Sequence, residues 1–132
     1  MIGSFYQVAA AWSTQNTITL YFNGKQVSIP TNNVQYSNSF YNNMQSIGSC
    51  FCGSDRFYGS VSNLQIYNVS LTANEILGLY QKGFGDAQID LQHLVGWYPL
   101  NGNANDYSGN GQGGVLIDVD YNSMWRSDYT PT

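Results

Sequence analysis

The sequence predicts an all-β domain, an antiparallel sandwich with one short helix, and three observations support this fold class. Aromatic residues make up 15% of the chain and include 11 Tyr, and aromatic and β-branched residues favour strands. Only 9% of the residues are charged, so most polarity comes from Asn, Gln, Ser, Thr and Gly, and Asn and Gly suit tight turns. At 132 residues the chain has the length of one domain and can bury a core.

The clearest single element is a hairpin centred on Asn23 and Gly24. Asn-Gly between two alternating runs favours a type I′ turn, because that turn needs positive φ at both central residues. A two-residue loop places Leu20 opposite Val27. One face of the hairpin is then apolar and consists of Ile18, Leu20, Phe22, Val27 and Ile29. The residues before the hairpin, 6–12, predict a buried strand.

The middle of the chain predicts a loop and then a strand. Residues 31–45 are rich in Asn and Ser and predict a loop. Residues 56–67 predict a strand in which Val61 is out of phase with the apolar residues that follow it. This change of phase predicts a bulge near Asn63.

One helix follows. Thr72 and Glu75 have the spacing of a capping box, in which the Thr hydroxyl and the Glu carboxylate each accept a backbone amide at the helix start. Ile76, Leu79 and Tyr80 follow at helical spacing, and Gly83 suits the left-handed residue that ends a helix. A helix this short is not stable alone, so its apolar stripe is expected to pack on the sheet.

The last third of the chain predicts two further strands. Residues 94–100 predict a strand, residues 101–114 a turn-rich loop, and residues 115–120 a strand that alternates apolar and polar side chains. Pro99 suits an edge or terminal position, because proline cannot donate to a neighbouring strand.

Charge and composition exclude two classes of partner. The net charge is −4, and the basic residues are scattered, at Lys25, Arg56, Lys82 and Arg126. Nucleic acid is therefore a poor partner, because no basic stripe can neutralise phosphates. No apolar run approaches the roughly 20 residues that span a bilayer, so no membrane insertion is expected.

The two cysteines, Cys50 and Cys52, are one residue apart. In a strand their side chains would point to opposite faces, so a bond between them would be strained, and two ordinary thiols and a strained bridge both remain open. One pair is too few for a zinc site.

The order of these elements resembles the laminin G-like domains of the concanavalin A-like lectin/glucanase superfamily. VAAAW at 8–12 and ITLYFNGKQV at 18–27 are similar to the family hairpin "HVA-x-x-W … LYVNGK-x-V". IGS at 47–49 and FYGSVSNLQIYN at 57–68 are similar to the family strand "IG … F-x-G-x-I-x-x-V-x-IYN", and LTANEILGLY at 71–80 to its helix "LS-x-x-EI-x-x-LY".

A further motif is similar to the segment that opens the family domain. LVGWYPLNGNANDYSGNG at 94–111 resembles "LVAYYPL-x-GNA-x-D-x-SGNG", although here it follows the hairpin and helix that close the domain. The resemblance therefore implies a permuted or partial jelly roll over residues 1–132. Residues 1–84 form the C-terminal half of a unit, residues 85–92 a connection, and residues 93–132 the strands of an N-terminus.

The resemblance implies a module at the cell surface, because tandem arrays of such domains occur in prokaryotic surface proteins. We expect an extracellular adhesion module that binds a glycan or a surface protein. The alternative is a structural subunit of an extracellular filament, in which residues 94–120 complete the sandwich of a neighbouring copy. Homo-oligomers or tandem copies of the domain are expected in either case.

The superfamily includes glucanases, whose chemistry needs two carboxyl groups about 5 Å apart. The one Glu, Glu75, is assigned to the helix cap, while Asp118 and Asp120 share a strand face without a Glu. His93 has no matching Ser or Cys constellation. The sequence therefore predicts a protein that is not an enzyme.

Three groups of residues are candidates for binding or modification. Asp106 and Asn110, in the turn-rich loop, are the best ligands for a structural calcium ion, since hard cations take carboxylate, amide and backbone oxygens; the alternative is a plain turn held by Asx hydrogen bonds. The predicted ligand-binding aromatics are Trp125, Tyr107 and Tyr121. Trp12 and Trp97 lie inside apolar strands and are expected in the core. Asn68 begins the one glycosylation sequon, in the turn before the helix.

Overall fold

The computed structural model of the protein describes residues 5–13, 17–28, 46–49, 56–83 and 89–116. The elements in these ranges are β1 (Val8–Trp12), β2 (Ile18–Phe22), β3 (Lys25–Gln26), β4 (Leu64–Tyr67), α1 (Ala73–Lys82) and β5 (Leu94–Tyr98). They form two antiparallel sheets, one with the order β1-β2-β3 and one that pairs β4 with β5. Antiparallel sheets with a single short helix in the described part of the chain confirm the predicted fold class.

The hairpin has the predicted turn and register. Asn23 and Gly24 have φ values of 49° and 74°, as a type I′ turn requires. Tyr21 lies opposite Gln26, so Leu20 lies opposite Val27, whose N–H donates to the Leu20 carbonyl at 2.9 Å. The turn and the register beside it are therefore as predicted, while β3 ends at Gln26 and the predicted Ile29 lies outside the described residues.

In the first sheet, the side chains that are buried are not those that the sequence predicts. Residues opposite each other in antiparallel strands point to the same face, so one face carries Val8, Ala10, Trp12, Ile18, Leu20, Phe22 and Val27. This apolar face is uncovered by the described residues: Val8 is 74% exposed, Trp12 52% and Val27 63%. The predictions of a buried first strand and of a core Trp12 are therefore wrong. The buried residue is Tyr21, at 7%, on the opposite face.

The helix begins and ends where the sequence predicts. Thr72 is the N-cap, and both bonds of the capping box with Glu75 are present. Gly83 follows the last turn with φ 78°, and its N–H donates to the Tyr80 carbonyl. Ile76, at 2% exposure, is the most buried apolar side chain of the described residues.

The helix packs on the hairpin turn rather than on the middle of a sheet. A Cβ atom at Gly24 would lie 2.9 Å from Leu77 Cδ1 and 3.1 Å from Tyr80 Cβ, so only glycine allows this approach. Gln7 joins the same elements: its Oε1 accepts the Gly24 N–H, and its Nε2 donates to the Ile76 carbonyl. Turn, first strand and helix therefore form one packed unit.

The later strands are shorter than predicted. The strand predicted over 56–67 is reduced to β4, because residues 57–63 pair with no strand and Arg56 makes only an isolated bridge with Ser49. The strand predicted over 94–100 ends at Tyr98, just before Pro99, which lacks the amide that a ladder needs.

Candidate functional site

The pairing of β4 with β5 joins two distant parts of the chain and contains the bulge. Ile66 lies opposite Gly96 and Tyr67 opposite Leu94, so Val95 is the additional residue on β5. The prediction of a bulge at Asn63 is therefore wrong in position. Asn63 instead adopts a left-handed conformation, φ 53°, directly before β4, a conformation that Asn tolerates better than most residues.

The loop after β5 covers the free edge of that strand. The Asp106 Oδ1 accepts the Trp97 N–H at 3.0 Å, and the Tyr107 N–H donates to the Trp97 carbonyl at 2.8 Å. The Val95 carbonyl, at the bulge, accepts hydrogen bonds from the Ser108 hydroxyl and the Asn110 amide. The polar residues of the loop thus satisfy backbone groups that a neighbouring strand would otherwise pair.

Asp106 is the centre of this loop. Its two carboxylate oxygens accept three backbone N–H groups, those of Trp97, Ser108 and Gln112, at 2.9–3.0 Å. Desolvation alone would raise the pKa of Asp106, but these three hydrogen bonds and one from the Ser108 hydroxyl stabilise the charged form and lower the pKa from 3.8 to about 2. The carboxylate therefore holds the loop in its ionised form at neutral pH.

Beside this loop, aromatic rings and amides lie on one face of the second sheet. Gln65 is opposite Trp97, and Tyr67 alternates with Gln65 along β4, so these three side chains share a face. The Asn63 Oδ1 accepts the Trp97 Nε1–H at 2.9 Å and the Gln65 Nε2–H at 3.2 Å. The Tyr67 hydroxyl donates to the Gln65 Oε1 at 2.7 Å. We call these residues, together with Tyr107 and Asn103, the aromatic–amide face.

Tyr107 is the exposed end of the aromatic–amide face. Its side chain is 49% exposed, and its ring packs edge-on against Trp97 with 5.9 Å between ring centroids. The Asn103 Nδ2 donates to the Tyr107 hydroxyl at 3.2 Å. Among the described residues the proton of this hydroxyl and the Nδ2 group of Asn63 have no partner, so both can donate to a ligand.

The structure brings three of the predicted site residues together. Tyr107, Asp106 and Asn110 lie in one loop on the edge of β5. Asn68 is exposed in the bend after β4, with its backbone N–H bonded to the His93 carbonyl. The predictions for Trp125, Tyr121, Cys50, Cys52, Asp118 and Asp120 fall on residues outside the described ranges.

Sequence reasoning missed most of the aromatic–amide face. Trp97 is not a fully buried core residue, as predicted, but half-buried and hydrogen-bonded through its ring to Asn63. Asn63, Gln65 and Tyr67 were recognisable only as the alternate positions of a strand. The signal that could have identified them is the alternation of amide and aromatic side chains with apolar ones along this part of the sequence.

The fit of a calcium ion to Asp106 and Asn110 depends on the oxygens that remain available. Three amide donors use most of the acceptor capacity of the Asp106 carboxylate, so this residue can hold the loop without a cation. The Asn110 Nδ2 faces the Leu94 and Val95 carbonyls. Within the described ranges no three His, Cys, Asp or Glu residues form a cluster that could hold a metal. The bond from the Ser108 N–H to Asp106 is that of an Asx turn, and calcium at Asp106 and Asn110 stays a prediction.

Each of the three carboxylates in the described ranges has a local partner. Glu75 is engaged in the helix cap, and Asp106 is engaged in the loop. Asp90 accepts from His93 Nδ1 at 2.8 Å, a contact within the turn before β5. In addition, none of the helices in the described residues is long and apolar enough to cross a membrane.

Comparison with known proteins supports the resemblance over the first part of the chain. A laminin G family model, described as the concanavalin A-like lectin/glucanases superfamily, matches residues 1–77. This match spans the hairpin, β4 and the start of α1, and it leaves the motif at 94–111 outside. No curated protein and no solved structure matches the chain significantly.

Proposed function

This chain belongs to the concanavalin A-like lectin/glucanases superfamily, and on that premise we propose that it is a non-catalytic module that binds a glycan at the cell surface. Lectin-like members of such a family bind carbohydrates or proteins, but a fold does not by itself assign a ligand. The observation that supports a glycan is the aromatic–amide face, in which the exposed ring of Tyr107 contacts Trp97 and the side-chain amide of Asn103.

A sugar ring has apolar C–H faces and a rim of hydroxyl groups, so it needs a flat ring and several hydrogen-bonding groups close together. Tyr107 supplies the ring, supported by its edge contact with Trp97. The Tyr107 hydroxyl and the Asn63 Nδ2 supply donors. Because Asp106 holds the loop by three backbone bonds, the ring is positioned before a ligand arrives, which lowers the entropy cost of binding.

The test is a glycan array followed by calorimetric titration of the best ligands with three variants. We expect Tyr107→Ala to weaken binding at least tenfold, because stacking on an aromatic ring is lost, and Tyr107→Phe to retain part of the affinity. Tyr58→Ala is the matched control, since Tyr58 is 94% exposed and does not belong to the aromatic–amide face. Absence of binding by the wild-type protein at millimolar ligand, with and without calcium, would remove the proposal.

Glycosylation of Asn68 is part of the same proposal. Its exposure and its place in a bend make the sequon accessible to a glycosyltransferase. Secreted expression in a eukaryotic host should give a mass increase that peptide-N-glycosidase removes and that Asn68→Gln prevents. Secretion without this modification would count against the site.

Calcium binding at Asp106 and Asn110 stays a prediction. Thermal melting distinguishes a loop that binds calcium from one that is held by hydrogen bonds alone. A bound ion stabilises the folded state by mass action, so chelator would lower the melting temperature of the wild type but not of Asp106→Asn. Identical wild-type curves in calcium and in chelator would remove the ion and leave the hydrogen-bonded turn.

The second candidate function is a structural subunit of an extracellular polymer, and one observation favours it: β1 is an edge strand of the described sheet next to an uncovered apolar face. Exchange of β5 itself would have to break its pairing with β4 and its bonds to the loop. Size-exclusion chromatography with light scattering distinguishes the two candidates. A monomer that binds sugar supports the first, and a polymer supports the second.

A further inference from the structure

The open edge of β1 has backbone groups that point away from its only described partner. The Ser13 N–H donates to the Thr17 carbonyl and the Asn23 N–H to the Gln7 carbonyl, so the odd-numbered residues of β1 face β2. The N–H and C=O groups of Val8, Ala10 and Trp12 therefore point outward. Within the described ranges they bond to no other strand.

This edge borders a large cleft. A cavity of about 1320 Å³ has β1 as one wall and residues 60–71, which include β4, as another, while Ile76, Leu79 and Tyr80 of α1 complete the lining. No residue of β2 lines it. The cleft therefore lies beside the edge of β1 rather than over the face of its sheet, and its lining is mainly apolar. A segment that fills the cleft must be extended, so that its backbone can pair with the edge of β1. It must also be apolar on the side that contacts the lining of the cleft.

The chain carries a segment with these properties. Residues 115–120, VLIDVD, alternate so that Val115, Ile117 and Val119 share one face, while Asp118 and Asp120 lie on the other with Leu116. At about 3.3 Å per residue, six residues span about 20 Å, enough to run along the five residues of β1. The cleft would take the apolar face, and the two carboxylates would remain in solvent.

The start of this segment is not covered by its own chain. Val115 is 88% exposed and Leu116 43%, and neither lines the cleft. The last described bond before them is that of the Gly114 N–H to the Ala104 carbonyl. The exposed start of this segment and the open edge of β1 therefore provide a donor and an acceptor on different surfaces.

We propose that residues 115–120 of one copy insert as a strand into the cleft of a second copy and pair with β1. The contact is head-to-tail, because donor and acceptor are different surfaces, so it builds a chain of copies unless rotation closes it into a ring. Residues 5–13 carry no charged side chain, so nothing on the acceptor edge repels the donor or blunts pairing as a lysine would. This inference rests on the second candidate function, self-assembly. The cleft shares Asn63, Gln65 and Tyr67 with the aromatic–amide face, whereas Trp97 and Tyr107 do not line it.

The test uses the full chain with one donor variant and one acceptor variant. Ile117→Asp puts a charge on the inserted face. Ala10→Pro removes an outward N–H, which an edge strand tolerates in the monomer because that amide does not bond to β2. Leu116→Asp is the matched control, since it places the same charge one residue away, on the solvent face. Mass is measured by light scattering over a range of concentrations at physiological salt.

We expect the wild type and Leu116→Asp to associate with rising concentration, and each of Ile117→Asp and Ala10→Pro to weaken association at least tenfold. A mixture of these two variants should form a 1:1 heterodimer, because one retains the acceptor and the other the donor. A wild type that stays monomeric would overturn both self-assembly and the inference, whether or not its own segment fills the cleft. Assembly that survives Ile117→Asp, or a mixture that does not associate, would overturn strand insertion alone.

Discussion

The substitution Asp106→Asn tests whether one carboxylate holds the loop after β5. The wild-type carboxylate accepts three backbone N–H groups. Asn has one acceptor oxygen, and its NH₂ group cannot accept a hydrogen bond. At least one of the three backbone N–H groups therefore loses its acceptor, and the bonds that remain are no longer made to a charged group. Hydrogen bonds to charged groups contribute about 1.5–3 kcal/mol and neutral ones about 1 kcal/mol. After a reduction for solvent screening, we expect a loss of about 1–2 kcal/mol, or roughly 5 °C in the melting temperature.

The lowered pKa of Asp106 also predicts how the stability difference changes with pH. The folded-state pKa of Asp106, about 2, lies below the ordinary value of 3.8. Its stabilisation is therefore complete above about pH 4 and is lost as the pH falls through about 2. In urea unfolding, the difference in free energy of unfolding between wild type and Asp106→Asn should be constant from pH 7 to about pH 5 and shrink toward zero near pH 2.

The control is the same substitution at Asp90, whose carboxylate contacts the half-buried side chain of His93 within a turn and accepts no backbone N–H in the described residues. Partly solvated pairs contribute about 1 kcal/mol or less, so Asp90→Asn should change stability less. The reasoning fails if Asp106→Asn and the wild type have the same free energy of unfolding at pH 7. It also fails if the difference between their free energies of unfolding is as large at pH 2 as at pH 7.

Three further substitutions test the unit formed by the hairpin turn and α1, each by urea unfolding against the wild type. Gly24→Ala should destabilise the protein by about 1–3 kcal/mol, because φ is 74° and the new Cβ would lie 2.9 Å from Leu77 Cδ1; an unchanged midpoint would show that the turn does not touch the helix. Gly78→Ala, in the middle of α1 with nothing within 4 Å of its Cβ position, should stabilise by about 0.5–1 kcal/mol, and a loss would contradict that open space. Thr72→Ala should cost about 1 kcal/mol by removing the N-cap, whereas Thr72→Ser should restore most of it.

Local elements could be predicted from the sequence because their signals are short in range. The turn at Asn23 and Gly24 is specified by the φ values that two adjacent residues accept. The start of α1 is specified by a hydroxyl and a carboxylate three residues apart, Thr72 and Glu75. The family resemblance over the first part of the chain rests on these same elements and is confirmed by the match over residues 1–77.

Burial and the candidate site were decided by tertiary structure. Alternation along a strand defines two faces, but only the packing of other elements decides which is covered, and here Tyr21 is buried while Trp12 and Val8 are exposed. The sequence identified Asp106 as a candidate ligand in a turn-rich loop, but the backbone amides that its carboxylate accepts, from β5 and from the loop, are visible only in the tertiary structure. The aromatic–amide face combines Asn63 with Trp97, 34 positions apart, and such a contact depends on the pairing of β4 with β5, which no local preference in the sequence encodes.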